Sequence, residues 1–182
     1  HSYSSAESVV YKRPLMNIMK EIFILRHAKS SWKDSYLSDF GRPLADRGIR
    51  EAKKLCGFIK KNSFNIDKVI CSNAKRALET FYLVADGFNF EIEKATYTNN
   101  LYFGEVEDIV NTINELGDDI KKILIIGHNP TLHTLTEMLT NEHINRFTTC
   151  NLAKISFEGK WKTLAPSKCS LISIIKPKEM IN

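Results

Sequence analysis

The chain has 182 residues, 43% of them apolar and 26% charged, the ordinary composition of one soluble globular domain large enough to bury a core. No apolar run approaches the ~18 residues of a membrane span, and Cys56, Cys71, Cys150 and Cys169 form neither C-x-x-C pairs nor a dense framework. That excludes a membrane-spanning helix and a disulfide scaffold, and it points to reduced thiols in the cytoplasm. The net charge of +5 comes from 26 basic residues dispersed among 21 acidic ones, a solvated surface biased toward anionic ligands rather than a nucleic-acid face.

Residues 1–18 lack the apolar centre of a secretory signal and read as a disordered leader remnant, leaving a single domain over 19–182. The first element is the apolar run Ile22-Phe23-Ile24-Leu25, a strand buried on both faces that stops at Arg26 and His27. A polar loop from Lys29 to Arg42 follows, long enough to suggest a functional role. Next comes a helix with Asp46 as its N-cap and Ala52, Leu55, Cys56 and Ile59 on its inner face. A second strand, Lys68 to Ser72, runs into a helix from about Ala74 that carries Arg76 in its first turn. Phe90 to Thr96 alternates weakly and reads as a short strand, and a third amphipathic helix carries Val106, Ile109, Val110, Ile113 and Leu116.

The third buried strand, Ile123 to Ile126, ends in Gly127-His128-Asn129-Pro130. Asparagine favours a helix cap and proline the first helical position, so His128 stands on a strand-to-helix turn. A hairpin of Lys154–Phe157 with Trp161–Leu164, then a strand from Leu171 to Ile175, close the chain. Alternating strands and helices imply an α/β fold: a three-layer, doubly wound, mostly parallel sheet flanked by helices, with an antiparallel C-terminal edge.

Each buried strand delivers a cation or an imidazole at or just past its carboxyl end, where open α/β sheets bind ligands. These groups are Arg26 and His27, then Ser72 with Arg76, then His128. Two guanidiniums and two imidazoles with no carboxylate among them repel one another unless an anion lies between them, and a phosphoryl group fits. A histidine at the centre favours transfer over mere binding, because neutral imidazole attacks phosphorus and splits hydrolysis into two displacements. No metal or other cofactor is called for. His133 and His143 lack the thiolate or carboxylate that would complete a metal site with His128.

At these residues the chain resembles the histidine phosphatase superfamily, with its phosphoglycerate-mutase-like fold, and more closely the small SixA-type phosphohistidine phosphatases. Leu25-Arg26-His27-Ala28 is similar to the family's L-R-H-G motif, Ser72 to Thr80 to S-x-x-x-R-A-x-x-T, and Gly127-His128-Asn129-Pro130 to its second-histidine motif. Arg42-Pro43-Leu44 with Gly48, and Phe147-Thr148-Thr149, resemble the compact branch. The resemblance implies that His27 is the phosphorylated nucleophile and that Arg26, Arg76 and His128 complete the site, with phosphate or sulfate as fitting occupants.

Two features depart from the pattern. Ala28 stands for the usual glycine, and the general acid that mutase-like relatives place after the third strand has Glu105 as its nearest counterpart, with Asp34 and Asp39 as weaker candidates. A missing acid favours phosphoramidates, whose leaving nitrogen can already carry a proton. The chain between the second helix and Glu105 is too short for a helical cap, so the pocket can admit a phosphorylated side chain of a protein. Lys29, Ser30, Ser31, Trp32 and Arg42 are expected at its rim, and neither nucleic acid nor membrane is expected as a partner. The expectation is a phosphatase acting through phosphohistidine. A small-molecule phosphomonoesterase or mutase, and a silent phospho-ligand binding module, remain open.

Overall fold

The computed structural model describes residues 19–180; the leader expected over residues 1–18 lies outside the described residues. In chain order the elements are β1 (Met19–Arg26), α1 (Asp46–Lys61), β2 (Lys68–Ser72), α2 (Lys75–Val84), β3 (Thr96–Thr98) and α3 (Asn100–Phe103). They continue with α4 (Val106–Asn114), β4 (Lys122–Gly127), α5 (Thr131–Thr140), β5 (Leu152–Glu158) and β6 (Cys169–Ile175). Among the described residues no helix is long and apolar enough to cross a membrane.

The six strands form one sheet in the order β3-β2-β4-β1-β5-β6. The first four are mutually parallel, and β5 and β6 add an antiparallel edge. Strand periodicity divides the core. Ile22 and Ile24 of β1 pack with Ile123 and Ile125 of β4 against α3, α4 and α5, whereas Phe23, Leu25, Leu124 and Ile126 face α1 and α2. The mostly parallel three-layer sheet expected from the sequence is therefore the observed architecture.

Three local expectations need correction. Trp161–Thr163 is a short 3-10 turn, and the antiparallel partner of β5 is β6, paired from Leu152↔Ile175 to Phe157↔Cys169. The Trp161 ring is wholly buried, stacked 5.9 Å from Phe157, and its indole N–H donates to the Ile120 carbonyl at 2.9 Å, which fixes a turn where composition suggested a strand. Residues Ile92–Lys94 form another 3-10 turn, and the short strand lies just beyond it, where Thr96–Thr98 pairs with Ile70–Ser72. Cys56 is only half-buried on α1.

Both expected helix caps also move. Ala45, not Asp46, caps α1, because its N–H donates to the Lys29 carbonyl at 2.8 Å and holds it extended. Ser30 bridges Leu44, and the Ser31 N–H reaches the Pro43 carbonyl at 2.8 Å, so the two ends of the polar loop are tied together. Gly48 makes this closure possible. A β-carbon there would stand 2.2 Å from the Lys29 carbonyl oxygen. At α5 the cap is Pro130, and the Asn129 side chain donates to the Phe147 carbonyl at 2.7 Å instead of to the helix.

Candidate active site

β2, β4 and β1 are neighbours in the sheet, and all three end at the same rim. Parallel strands lie about 4.8 Å apart, so Ser72, His128 and the Arg26-His27 pair are brought within reach of one another although more than 100 residues separate the outermost two. The His27 and His128 rings lie 4.9 Å apart, and the Arg76 Nε–H donates to His27 Nε2 at 3.3 Å. His27, Arg76 and His128 are buried and Arg26 half-buried. The four residues expected to form the centre are thus one cluster.

Each is held by the fold. His27 Nδ1 lies 2.7 Å from the Ala28 carbonyl oxygen, which can only accept, so the proton sits on Nδ1 and the Nε2 lone pair faces Arg76. Burial, with Arg76, Arg26 and Arg42 adding like charge, pushes the His27 pKa down to about 3. Burial, then the neighbouring His27 and Arg76, likewise pushes His128 down to about 3. Both rings are therefore neutral near pH 7, the state a nucleophilic imidazole requires. His128 Nε2 is bonded to Ser72 Oγ at 2.9 Å, and Arg26 Nη1 donates to the Phe147 carbonyl at 2.9 Å.

Thr80 supplies the brace. Its hydroxyl donates to the Arg76 carbonyl at 2.6 Å and accepts the Ala28 N–H at 2.9 Å, locking the turn after His27 to the helix that carries Arg76. Three of the buried side-chain atoms without a hydrogen-bond partner among the described residues, Arg26 Nε, Arg42 Nη1 and His128 Nδ1, belong to residues of this site and leave polar capacity for an anion.

One residue changes the charge pattern read from the sequence. Asp39 brings a carboxylate to the cluster, where none was expected at the centre. Its Oδ2 accepts from Arg76 Nη2 at 3.0 Å and from the Tyr102 hydroxyl at 2.7 Å, and its Oδ1 accepts from Arg42 Nη2 at 2.7 Å and Nε at 3.1 Å. Arg76 Nη1 also donates to the Asp39 carbonyl at 2.6 Å. The Tyr102 hydroxyl first, then Arg42 and Arg76, hold the Asp39 carboxyl well below the usual carboxylate range, so it carries no proton to donate. The Trp32 ring covers the Arg42 guanidinium at 3.5 Å.

The remaining candidates lie apart. Glu105 is exposed and caps α4, where its N–H donates to Asp108 Oδ2 at 2.9 Å, and its carboxylate makes no hydrogen bond to the cluster. Asp34 is exposed and accepts the Tyr36 N–H at 2.9 Å. The Lys29 side chain is exposed, and Ser30 is buried with its backbone in the loop closure. Tyr102 and Thr80 escaped the sequence reading as functional residues. Thr80 was present as the last letter of a motif, whereas nothing near Tyr102 signals a partner 63 residues away. Among the described residues no group of three or more His, Cys, Asp or Glu side chains is placed to hold a metal ion.

The family model of the histidine phosphatase superfamily (branch 1) matches residues 22–122, more than half of the chain. The chain belongs to that superfamily. A Mycobacterium tuberculosis relative, uncharacterized protein Rv1276c, is 33% identical over 164 residues, spanning 85% of this chain and all of that one. A 2,3-bisphosphoglycerate-dependent phosphoglycerate mutase of Bacteroides fragilis is 32% identical over 108 residues, covering 56% of this chain and 44% of the mutase. Among solved structures, the protein histidine phosphatase SixA complexed with tungstate superposes with a TM-score of 0.75 at 24% identity, over 87% of this chain and 97% of that one. A phosphoglycerate mutase of Bacillus anthracis superposes with a TM-score of 0.58 at 14% identity, over 78% of this chain and 89% of that one, so the fold is phosphoglycerate-mutase-like.

Proposed function

We propose that this protein, as one domain over residues 19–182, is a metal-independent phosphatase. It acts through a phosphohistidine at His27 and hydrolyses phosphohistidine on proteins or other phosphoramidates. The observation that carries the reading is the His27 ring: neutral, with its proton held on Nδ1 by the Ala28 carbonyl and its Nε2 lone pair turned to Arg76.

In the first step Nε2 attacks phosphorus in line, the bond to the leaving group breaks, and the leaving atom departs with its electron pair. The ring now carries a phosphoryl group on Nε2 and a proton on Nδ1, and the Ala28 carbonyl stabilises the positive charge that results. Arg26, Arg76 and His128 hold the equatorial oxygens through the passage, with Arg42 at the rim. In the second step water attacks phosphorus, the N–P bond breaks, and inorganic phosphate leaves with Nε2 restored. Lys29 and Ser30 follow the turn after His27 in the chain and are proposed as outer rim residues, not as ligands of the phosphoryl group.

The preference for phosphoramidates follows from proton supply. The Asp39 carboxylate is held ionised by the Tyr102 hydroxyl and then by Arg42 and Arg76, Glu105 caps a helix, and both imidazoles are neutral. A phosphohistidine leaving group already holds a proton on its ring, whereas an alkoxide must be given one. Between α2 and α4 the chain forms only a short turn, β3 and α3, which keeps the mouth open to a protein side chain. Four free cysteines fit a cytoplasmic setting. The test is the ratio of kcat/KM values for a phosphohistidine peptide, phosphoramidate and a sugar phosphate. Preference for the two N–P substrates supports the reading, and preference for the sugar phosphate removes its substrate half.

A further inference from the structure

Asp39 takes no part in the steps above, yet among the described residues no side chain around the site has more cationic partners. Its carboxylate and carbonyl oxygens receive both terminal nitrogens of Arg76, and its other carboxylate oxygen receives two nitrogens of Arg42. The tyrosine hydroxyl of Tyr102 fixes the carboxylate from a third side, and the Tyr102 ring packs edge-on to His128 at 5.2 Å. The loop is pinned here a second time, because the Lys75 N–H donates to the Phe40 carbonyl at 3.0 Å. With one N–H of each terminal nitrogen given to Asp39, Arg76 is held with Nε toward the nucleophilic ring and keeps a second N–H on each terminal nitrogen for a phosphoryl oxygen.

Charge supports the same assignment. Arg26, Arg42 and Arg76 bring three positive charges and Asp39 one negative, a balance of +2 that matches a phosphoryl dianion. Without Asp39 the site would carry one more positive charge than such a ligand neutralises, and it would hold product more firmly.

We propose that Asp39 is a positioning residue: it sets the orientation of Arg76 and Arg42 around the phosphoryl site and trims the site's charge so that phosphate is released. This rests on the phosphoryl-transfer reading at His27. The experiment pairs Asp39→Asn, which removes the charge and keeps the shape, with Tyr102→Phe, which loosens the carboxylate and keeps its charge. Misplacement of a reacting group by about 1 Å costs on the order of 100-fold. Asp39→Asn is therefore expected to lose about 100-fold in kcat, by the same factor for phosphoramidate and for an aryl phosphate. Calorimetric titration with inorganic phosphate should show binding about 2- to 5-fold tighter, the effect of removing one screened charge. Tyr102→Phe should lower kcat by a smaller factor and leave phosphate affinity unchanged.

Wild-type kcat in folded Asp39→Asn, or weaker phosphate binding, overturns the assignment. A loss confined to the aryl ester also overturns it, since Asp39 would then be a proton donor. If the wild type turns over neither substrate, the phosphohistidine reading fails by itself, and the phosphate titrations still decide for or against Asp39.

Discussion

Replacing His27 by asparagine should make the protein more resistant to acid, although it removes the proposed nucleophile. The folded chain holds the His27 pKa down to about 3, whereas an unfolded histidine titrates near 6.5. Between those values the unfolded chain binds a proton that the folded chain refuses, so the histidine's contribution is complete above about pH 6.5. It is lost progressively as pH falls toward 3. The slope is about 1.4 kcal/mol per pH unit for one such group, so at pH 4.5, two units below the unfolded value, the wild type has lost about 2.7 kcal/mol through this ring. Asparagine can still donate to the Ala28 carbonyl and has nothing to titrate. Urea denaturation of both proteins at pH 7.5 and pH 4.5 reads the difference, with carboxylate titration common to both and cancelling. The gap between the two should move in favour of His27→Asn by about 2.7 kcal/mol on acidification. Parallel profiles would mean that the ring titrates normally in the folded protein, and the case for a buried neutral nucleophile would fall.

Other outcomes follow from single contacts. Arg76→Ala should cost about 2.7 to 4 kcal/mol of transition-state stabilisation, read as kcat/KM on a phosphoramidate, and a loss under tenfold would remove Arg76 from the site. Thr80→Val leaves the buried Ala28 N–H without its acceptor and should lower stability by about 1 to 3 kcal/mol in urea denaturation. Gly48→Ala drives a methyl group into the Lys29 backbone, so a loss of about 1 to 3 kcal/mol is expected, with reduced turnover from displacement of the turn after His27; unchanged melting would contradict the close approach.

The parts of the site legible in the sequence are those carried by local pattern. Buried runs in β1, β2 and β4 mark parallel strands, and the residue types at their ends mark out the candidate site. Asp39 was visible only as a loop carboxylate, because its meaning depends on Arg76 folding back 37 residues later and on Tyr102 arriving from α3. Glu105 looked like an acid because position along the chain suggested it, whereas the cap of α4 holds it elsewhere. The turn at Trp161 was misread for a similar reason: an aromatic next to a threonine suits a strand, and only the buried indole and its bond to Ile120 decide otherwise.

The direct test of the account is to catch the intermediate. Wild-type protein mixed with phosphoramidate, quenched in alkali within one turnover and digested for mass spectrometry, should carry a phosphoryl group on the peptide containing His27. His27→Ala should carry none. A phosphoryl group found on His128 or on any other residue, or turnover that persists in His27→Ala, would contradict the mechanism.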